Sequence, residues 1–217
     1  MIRVVIADDH TILREGLKQL LGAASDLQVV GEASDGHEAL KLVRETDFDV
    51  LLLDLSMPGR NGMDLIKQVK SEKPRLRVLI LSMHAEHQYA VRAVKAGASG
   101  YLTKDSAATQ LVAAIRKVAG GGAFISAEVA EQLALSAMPH ADGPPHASLS
   151  DREYQVFQLL VSGRSVSEIA SELNLSAKTV STHKARLMEK MGLANQTELV
   201  HYAIRHRLFD ASGAPHD

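Results

Sequence analysis

Short apolar runs recur through the first half of the chain, at Ile2–Ala7, Val29–Val30, Val50–Leu53, Val78–Leu81 and Gly100–Leu102, with helix-period segments between them. The runs are apolar rather than alternating, which suits strands covered on both faces. A strand followed by a helix, five times over, predicts a parallel sheet with right-handed crossovers, because a parallel pair needs a long connection. The predicted class is α/β, a (βα)5 doubly wound parallel sheet. Ligands of such sheets bind outside the carboxyl ends of the strands. Asp8 and Asp9 follow the first run, Asp54 ends the third, Ser82 ends the fourth and Lys104 follows the fifth, so topology gathers five polar groups at one edge.

The pattern changes after a predicted fifth helix over Ala107–Val118, which Gly120-Gly121-Gly122 ends. Ser126–Leu135 reads as a short helix with Ser126 as N-cap and Val129, Leu133 and Ala130 on one face. Met138–Ala147, with three prolines, a glycine and two histidines, reads as a linker. Beyond it, Ser150-Asp151-Arg152-Glu153 and Ser165-Val166-Ser167-Glu168 fit the capping box, and Asn195-Gln196-Thr197-Glu198 repeats it with Asn as cap. A further helix starts near Ser176 after Leu173-Asn174-Leu175, where Asn174 tolerates the left-handed conformation. Four short helices, with Ile169, Ala170 and Leu173 facing Val180 and Leu187, predict an all-α helix-turn-helix domain. At 100° per residue, Ala177–Met191 places Val180, Leu187 and Met191 on one face and Lys178, Ser181, Thr182 and Ala185 on the other.

Composition narrows the classes. A chain of 217 residues allows one or two domains, and 46% hydrophobic content with 4% aromatics gives aliphatic cores. Zero cysteines exclude disulfides and thiolate metal sites. No leader pattern and no apolar stretch long enough for a bilayer is present, so no membrane partner is expected and the cytoplasm is the expected location. Residues 125–217 carry eight Lys/Arg against eleven Asp/Glu, yet Lys178, Lys184, Arg186 and Lys190 face only Glu189 within one helix. Positive charge there is local, as a phosphate-contacting helix requires.

Three carboxylates gathered within roughly 4–5 Å repel by about 4 kcal/mol per ionised pair at an effective dielectric near 20, so they need a cation. Mg2+, a hard ion that takes oxygen ligands, suits them. Asp54 after Val50-Leu51-Leu52-Leu53, followed by Leu55-Ser56-Met57-Pro58 and Gly62, with Asp8-Asp9 and Lys104, resembles the receiver domain of bacterial response regulators. That resemblance implies a flavodoxin-like fold with Asp54 as phosphoacceptor. It implies Asp9 and Asp54 as direct Mg2+ ligands, Ser56 through its backbone carbonyl and Asp8 through water. Lys104 would offset phosphoryl charge, Ser82 would donate a hydrogen bond to a phosphoryl oxygen, and Tyr101 would swing inward as a switch. Pro58 suits a loop leaving the strand, and Gly62 permits a positive φ before a helix near Met63. Many receivers carry proline after the lysine, whereas here Asp105 stands.

Leu149-Ser150-Asp151-Arg152-Glu153, Glu168-Ile169-Ala170 and Leu175-Ser176-Ala177-Lys178-Thr179-Val180-Ser181-Thr182-His183 resemble the LuxR-type domain of NarL/FixJ regulators. On that basis Ser181, Thr182 and Ala185 are base-edge candidates, and Lys178, Thr179, Lys184, Arg186 and Lys190 fix register on phosphates. His183 either packs the helix or contacts phosphate. Val166-Ser167 stands where relatives often have Asn-Lys. The resemblance implies a receiver over 1–122, a linker with a short helix over 123–146, a LuxR-type domain over 147–210 and a disordered tail over 211–217. The implied function is a two-component regulator: a sensor histidine kinase phosphorylates Asp54, and the chain dimerises and binds double-stranded operator DNA, with RNA polymerase as a further partner. No enzyme activity is expected beyond phosphoryl acceptance and slow autodephosphorylation. Two rivals stay open, a phosphorylation-independent DNA binder and a magnesium phosphohydrolase, although Ser56 stands where such enzymes usually place a second acid. His84 and His87, too few for a zinc site, are not expected to bind metal.

Overall fold

The structure, a computed structural model, describes residues 1–57, 62–82, 87–136, 144–206 and 208. The chain divides into two compact units, Met1–Leu133 and Ala134–Asp217.

In the first unit the strands β1 (Ile2–Ala7), β2 (Leu27–Ala33), β3 (Val50–Leu53), β4 (Arg77–Ser82) and β5 (Gly100–Thr103) form one sheet. Every pairing is parallel and the order is β2-β1-β3-β4-β5. The intervening helices are α1 (Thr11–Gly22), α2 (Gly36–Glu45), α3 (Gly62–Glu72), α4 (His87–Ala96) and α5 (Lys104–Ala119). Val4, Ile6, Val50, Leu52, Leu79 and Leu81 share a core with Leu17 and Leu21 of α1 and Leu111, Ala114, Ile115 and Val118 of α5. The alternate residues Val5, Leu51, Leu53, Val78 and Ile80 are equally buried, so the central strands are covered on both faces as their unbroken apolar runs require. β2, at the edge, is only partly covered, and its register with β1 slips between Val4 and Val5.

Two local expectations change. Gly62 does not adopt positive φ. It is required because a Cβ there would sit 2.8 Å from Leu55 Cα and 2.9 Å from Leu55 O, so α3 can start against the turn after Asp54 only without a side chain. The fifth helix starts earlier than predicted, at Lys104, because Thr103 is its N-cap and accepts from the Ser106 amide. Asp105, where proline is common in receivers, lies in the first turn and complements the helix dipole there.

After α5 the chain folds back on the sheet. Phe124 forms a parallel bridge to Gly100, with Tyr101 N donating to Phe124 O at 2.8 Å and Phe124 N donating to Ser99 O at 3.1 Å. Helix α6 (Ala127–Ser136) follows with Ser126 as its cap, Val129 N donating to Ser126 Oγ at 3.3 Å, and Val129 is buried.

The second unit contains a 3-10 turn (Pro145–Ser148), α7 (Asp151–Val161), α8 (Val166–Glu172), α9 (Ala177–Met191) and α10 (Gln196–Arg205). Tyr154, Phe157, Ile169, Val180, Leu187, Leu199 and Ala203 form its core. Both serine capping boxes close reciprocally. At α10 the Asn195 side chain accepts from Glu198 N, while Glu198 Oε2 reaches Ala194 N one residue further back. Asn174, between α8 and α9, adopts φ 52°, as its place in the turn predicts. Pro145–Ala147, within the expected linker, instead belong to the 3-10 turn, and His146 is buried with Nδ1 2.8 Å from the Tyr202 hydroxyl. The tail 211–217, Pro58, His84 and Met138–Gly143 lie outside the described residues.

Candidate functional site

The register aligns Ala7 with Leu53, Leu53 with Ile80, and Ser82 with Thr103, so residues just beyond these positions emerge together at the carboxyl edge. Main-chain bonds extend the pairing past the strands: Asp54 N donates to Ala7 O at 2.9 Å and Asp8 N to Ala33 O at 3.1 Å. Asp8 and Asp54 are thereby fixed side by side. Lys104 Nζ lies 2.7 Å from Asp54 Oδ2 and 2.8 Å from Asp8 Oδ2. The other Asp54 oxygen accepts from Ser56 N at 2.9 Å.

This edge is more enclosed than the sequence suggests. Asp8 and Asp54 are each 1% exposed and the Lys104 side chain 6%, while Asp9 and His10 form the open part of the cluster. Burial pulls the Lys104 ammonium toward its neutral form, but hydrogen bonds and charge from Asp54 and Asp8 outweigh it and raise its pKa above the ordinary 10.5. The lysine therefore stays charged where it faces the acids. Folding favours this charged form, so the stabilisation is complete below 10.5 and is lost as the pH rises through the higher folded value.

Asp8, Asp9, His10 and Asp54 can each offer a ligand atom, and these atoms lie within 4.8 Å of one another. Asp8 Oδ2 is buried, with the Lys104 ammonium 2.8 Å away as its cationic partner. Three carboxylates against one ammonium leave a charge that a divalent cation would balance, and the oxygen-rich donor set fits such an ion. His10 escapes a reading based on the acid pair and lysine alone. Its adjacency to Asp9 is the signal that could have found it.

Ser82, also expected at this edge, is fully buried at the end of β4. Tyr101 is buried too and, with Gln110, Phe124 and Val129, lines a cavity of about 330 Å³ beneath the start of α6. The described residues thus place the expected switch tyrosine against the segment that leaves the sheet.

In the second unit, α9 buries Val180, Leu187 and Met191 and exposes Lys178, Ser181, Thr182 and Ala185, the two faces predicted from its period, and Arg186 is exposed as well. Ser176 caps it by accepting from Thr179 N, and Thr182 Oγ1 donates back to Lys178 O at 2.9 Å. Three of the candidate DNA-contacting residues are also engaged inside the unit. Lys190 Nζ lies 2.6 Å from buried Glu153, an ion pair that joins α9 to α7. Lys184 Nζ donates to Gln196 Oε1 at 3.0 Å. His183 is half-buried, with Nδ1 lacking a hydrogen-bond partner among the described residues. Burial foremost, then Arg152 and Arg186 against the opposing pull of Glu153, lowers its pKa below 6.5, which favours the packing role over phosphate contact.

A parallel five-stranded sheet with an acid–lysine cluster at its carboxyl edge, joined to a helix-turn-helix unit, defines the class of a receiver-containing regulator. Residues 4–116 match the response regulator receiver domain family, and residues 147–203 match the luxR family of bacterial regulatory proteins. The chain is 39% identical over 212 residues to the response regulator UvrY of Escherichia coli K12, covering 97% of each chain. It is 38% identical to the response regulator GacA of Pseudomonas aeruginosa, over 98% of this chain and all of that one. Among solved structures it resembles the RcsB response regulator of Salmonella typhimurium, with TM-score 0.70 and 31% identity over 94% of this chain and 97% of that one. RcsB of Salmonella enterica serovar Typhimurium bound to promoter rprA in the presence of the phosphomimetic BeF3− gives TM-score 0.66 and 31% identity over 93% and 98%. The chain belongs to the response regulators of the NarL/FixJ type, with a receiver domain and a LuxR-type helix-turn-helix domain.

Proposed function

We propose that this chain accepts a phosphoryl group on Asp54 from a sensor histidine kinase and, so modified, dimerises and binds operator DNA to control transcription. The observation that carries the reading is the meeting of Asp54, Asp8 and Lys104 within 2.8 Å in a receiver domain whose chain continues into a helix with an exposed Lys178–Arg186 face. Asp54 attacks the phosphorus of the donor, whose bond to the kinase histidine breaks as the acyl phosphate forms. Asp9, Asp54, the Ser56 carbonyl and, through water, Asp8 would hold Mg2+. When bound, it supplies positive charge that offsets the transferred oxygens. Lys104 supplies the protein's own cation to that group. Ser82 donates its hydroxyl to a phosphoryl oxygen, and Tyr101 adjusts the surface around β5 and α6.

In the second unit Ser181, Thr182 and Ala185 read base edges, while Lys178, Thr179 and Arg186 contact phosphate. Promoter binding by the RcsB relative in the presence of a phosphomimetic supports this reading. A two-fold dimer reads half-sites about one helical turn, roughly 10 bp, apart. The chain acts in the cytoplasm with RNA polymerase as the downstream partner, and no described helix is long and apolar enough to cross a membrane. The test is operator binding and sedimentation of the full chain with acetyl phosphate or beryllofluoride plus Mg2+. Both treatments should promote dimers and binding, and Asp54→Asn should abolish the response. An unchanged response in the variant refutes phosphorylation control.

A further inference from the structure

Arg14, near the start of α1, carries a side chain that is only 14% exposed. A guanidinium withdrawn this far from water needs strong partners. Its Nη1 donates to the Asp8 main-chain O at 2.6 Å, and its buried Nε lies 3.5 Å from Glu32 Oε2 near the end of β2. Glu32 already has a nearer cation, because Lys18 Nζ stands 2.9 Å from its Oε1. The close bond of Arg14 is therefore the one to Asp8, a charge-assisted bond to a main-chain carbonyl. Its charge also acts on Glu38 in the first turn of α2, so one guanidinium stands where α1, β1, β2 and α2 meet.

The carbonyl it grips is a consequential one. The peptide linking Asp8 to Asp9 is planar, so turning its oxygen also turns the path to the Asp9 Cα. Asp8 N is pinned on the other side, donating to Ala33 O at 3.1 Å. Beyond Asp9, the His10 amide returns to Asp8 Oδ1 at 2.8 Å, and His10 O accepts from Arg14 N at 3.0 Å. Sheet, helix and guanidinium thus bracket Asp9, whose side chain is 32% exposed and follows the end of β1.

We infer that Arg14 is a positioning residue for phosphoryl acceptance: by holding the Asp8–Asp9 peptide plane, it sets where the Asp9 carboxylate stands beside Asp54 and how readily Mg2+ is held there. The inference rests on reading Asp54 as phosphoacceptor and Asp9 as a Mg2+ ligand. Arg14, bonded to a main-chain carbonyl, acts through Asp9 and is no ligand itself. An arginine that merely props the fold would stabilise the domain alike with and without the ion. One that orients a ligand acts on ion affinity.

The experiment follows phosphorylation of the full chain by acetyl phosphate against Mg2+ concentration, with calorimetric Mg2+ titration alongside, in wild type, Arg14→Ala, Arg14→Lys and Asp54→Asn. Acetate leaves as the Asp54 acyl phosphate forms. Arg14→Ala should raise the Mg2+ midpoint and the dissociation constant by about tenfold, the scale on which groups that orient metal ligands act, while the rate at saturating Mg2+ stays near that of wild type. Arg14→Lys keeps a donor for Asp8 O but loses the fork that also faces Glu32, so its shift should be smaller and in the same direction. Should Arg14→Ala fail to fold, the shift in Arg14→Lys decides alone. An unmoved midpoint, or a lowered plateau at the wild-type midpoint, overturns the role of Arg14. Phosphorylation that persists in Asp54→Asn, or that needs no Mg2+ in wild type, overturns the site reading itself and the inference with it.

Discussion

At the scale of single residues, Lys104 is the hinge of the site. Its ammonium satisfies two buried carboxylates at once, at 2.7 and 2.8 Å, and its removal leaves Asp8 and Asp54 side by side without it. Breaking a buried pair in this way costs about 3–5 kcal/mol. Lys104→Ala should therefore lower stability by roughly that amount in urea denaturation, and added Mg2+ should restore more stability to the variant than to wild type. A variant whose stability ignores Mg2+ would contradict a shared cation site. The convergence of Asp8, Asp54 and Lys104 was legible in the sequence because strand ends in a parallel sheet share one edge. The closeness of Gly62 to Leu55 was not, because it depends on how the chain leaves β3 and on no periodic pattern. The enclosure of Asp54 was likewise hidden, since a strand-end position does not reveal what covers it.

At the scale of elements, α9 is held by its ends and exposes one face of its middle. Its last turn is tied to α7 by Lys190 and Glu153, whose carboxylate also accepts from Ser150 N at 2.8 Å. Burial raises the Glu153 pKa, but the Lys190 ammonium and the Ser150 donors more than offset this and hold it below 4.5. Folding thus favours the ionised acid, so its stabilisation is present above 4.5 and is lost as the pH falls through the lower folded value. Glu153→Gln should cost about 1–3 kcal/mol at neutral pH, with the difference from wild type closing as the solution is acidified below that window. Urea denaturation at each pH measures it. A constant difference would exclude the ion pair as its source. On the outward face, Lys178→Ala should weaken binding to all DNA sequences and reduce the salt slope by about one, whereas Thr182→Ala should change sequence preference. Helical period foretold both faces of α9 from the sequence. The pairing of Lys190 was invisible to it, because Glu153 is 37 positions away in the chain.

At the scale of the whole molecule, the sequence correctly pairs an α/β sheet domain with a helix-turn-helix domain. Moving such a regulator from about 1% to about 99% active takes roughly 5.5 kcal/mol, a demand that dimerisation and DNA binding can share. The path out of the sheet domain is less legible, since nothing in Phe124 and its neighbours advertises a strand. Yet Phe124 supplies Tyr101 with a main-chain partner, and a Cβ on Gly100 would stand only 2.9 Å from Phe124 O. Phe124, two residues after the predicted boundary at 122, therefore does more than lead elsewhere. It pairs with the start of β5, whose Tyr101 amide would otherwise stand unmatched before the first sticky neighbour in solution. A fragment cut at Gly122 should scatter light and precipitate on concentration, while one carried through Leu133 should stay monodisperse, and equal solubility of the two would show that this flank needs no guard.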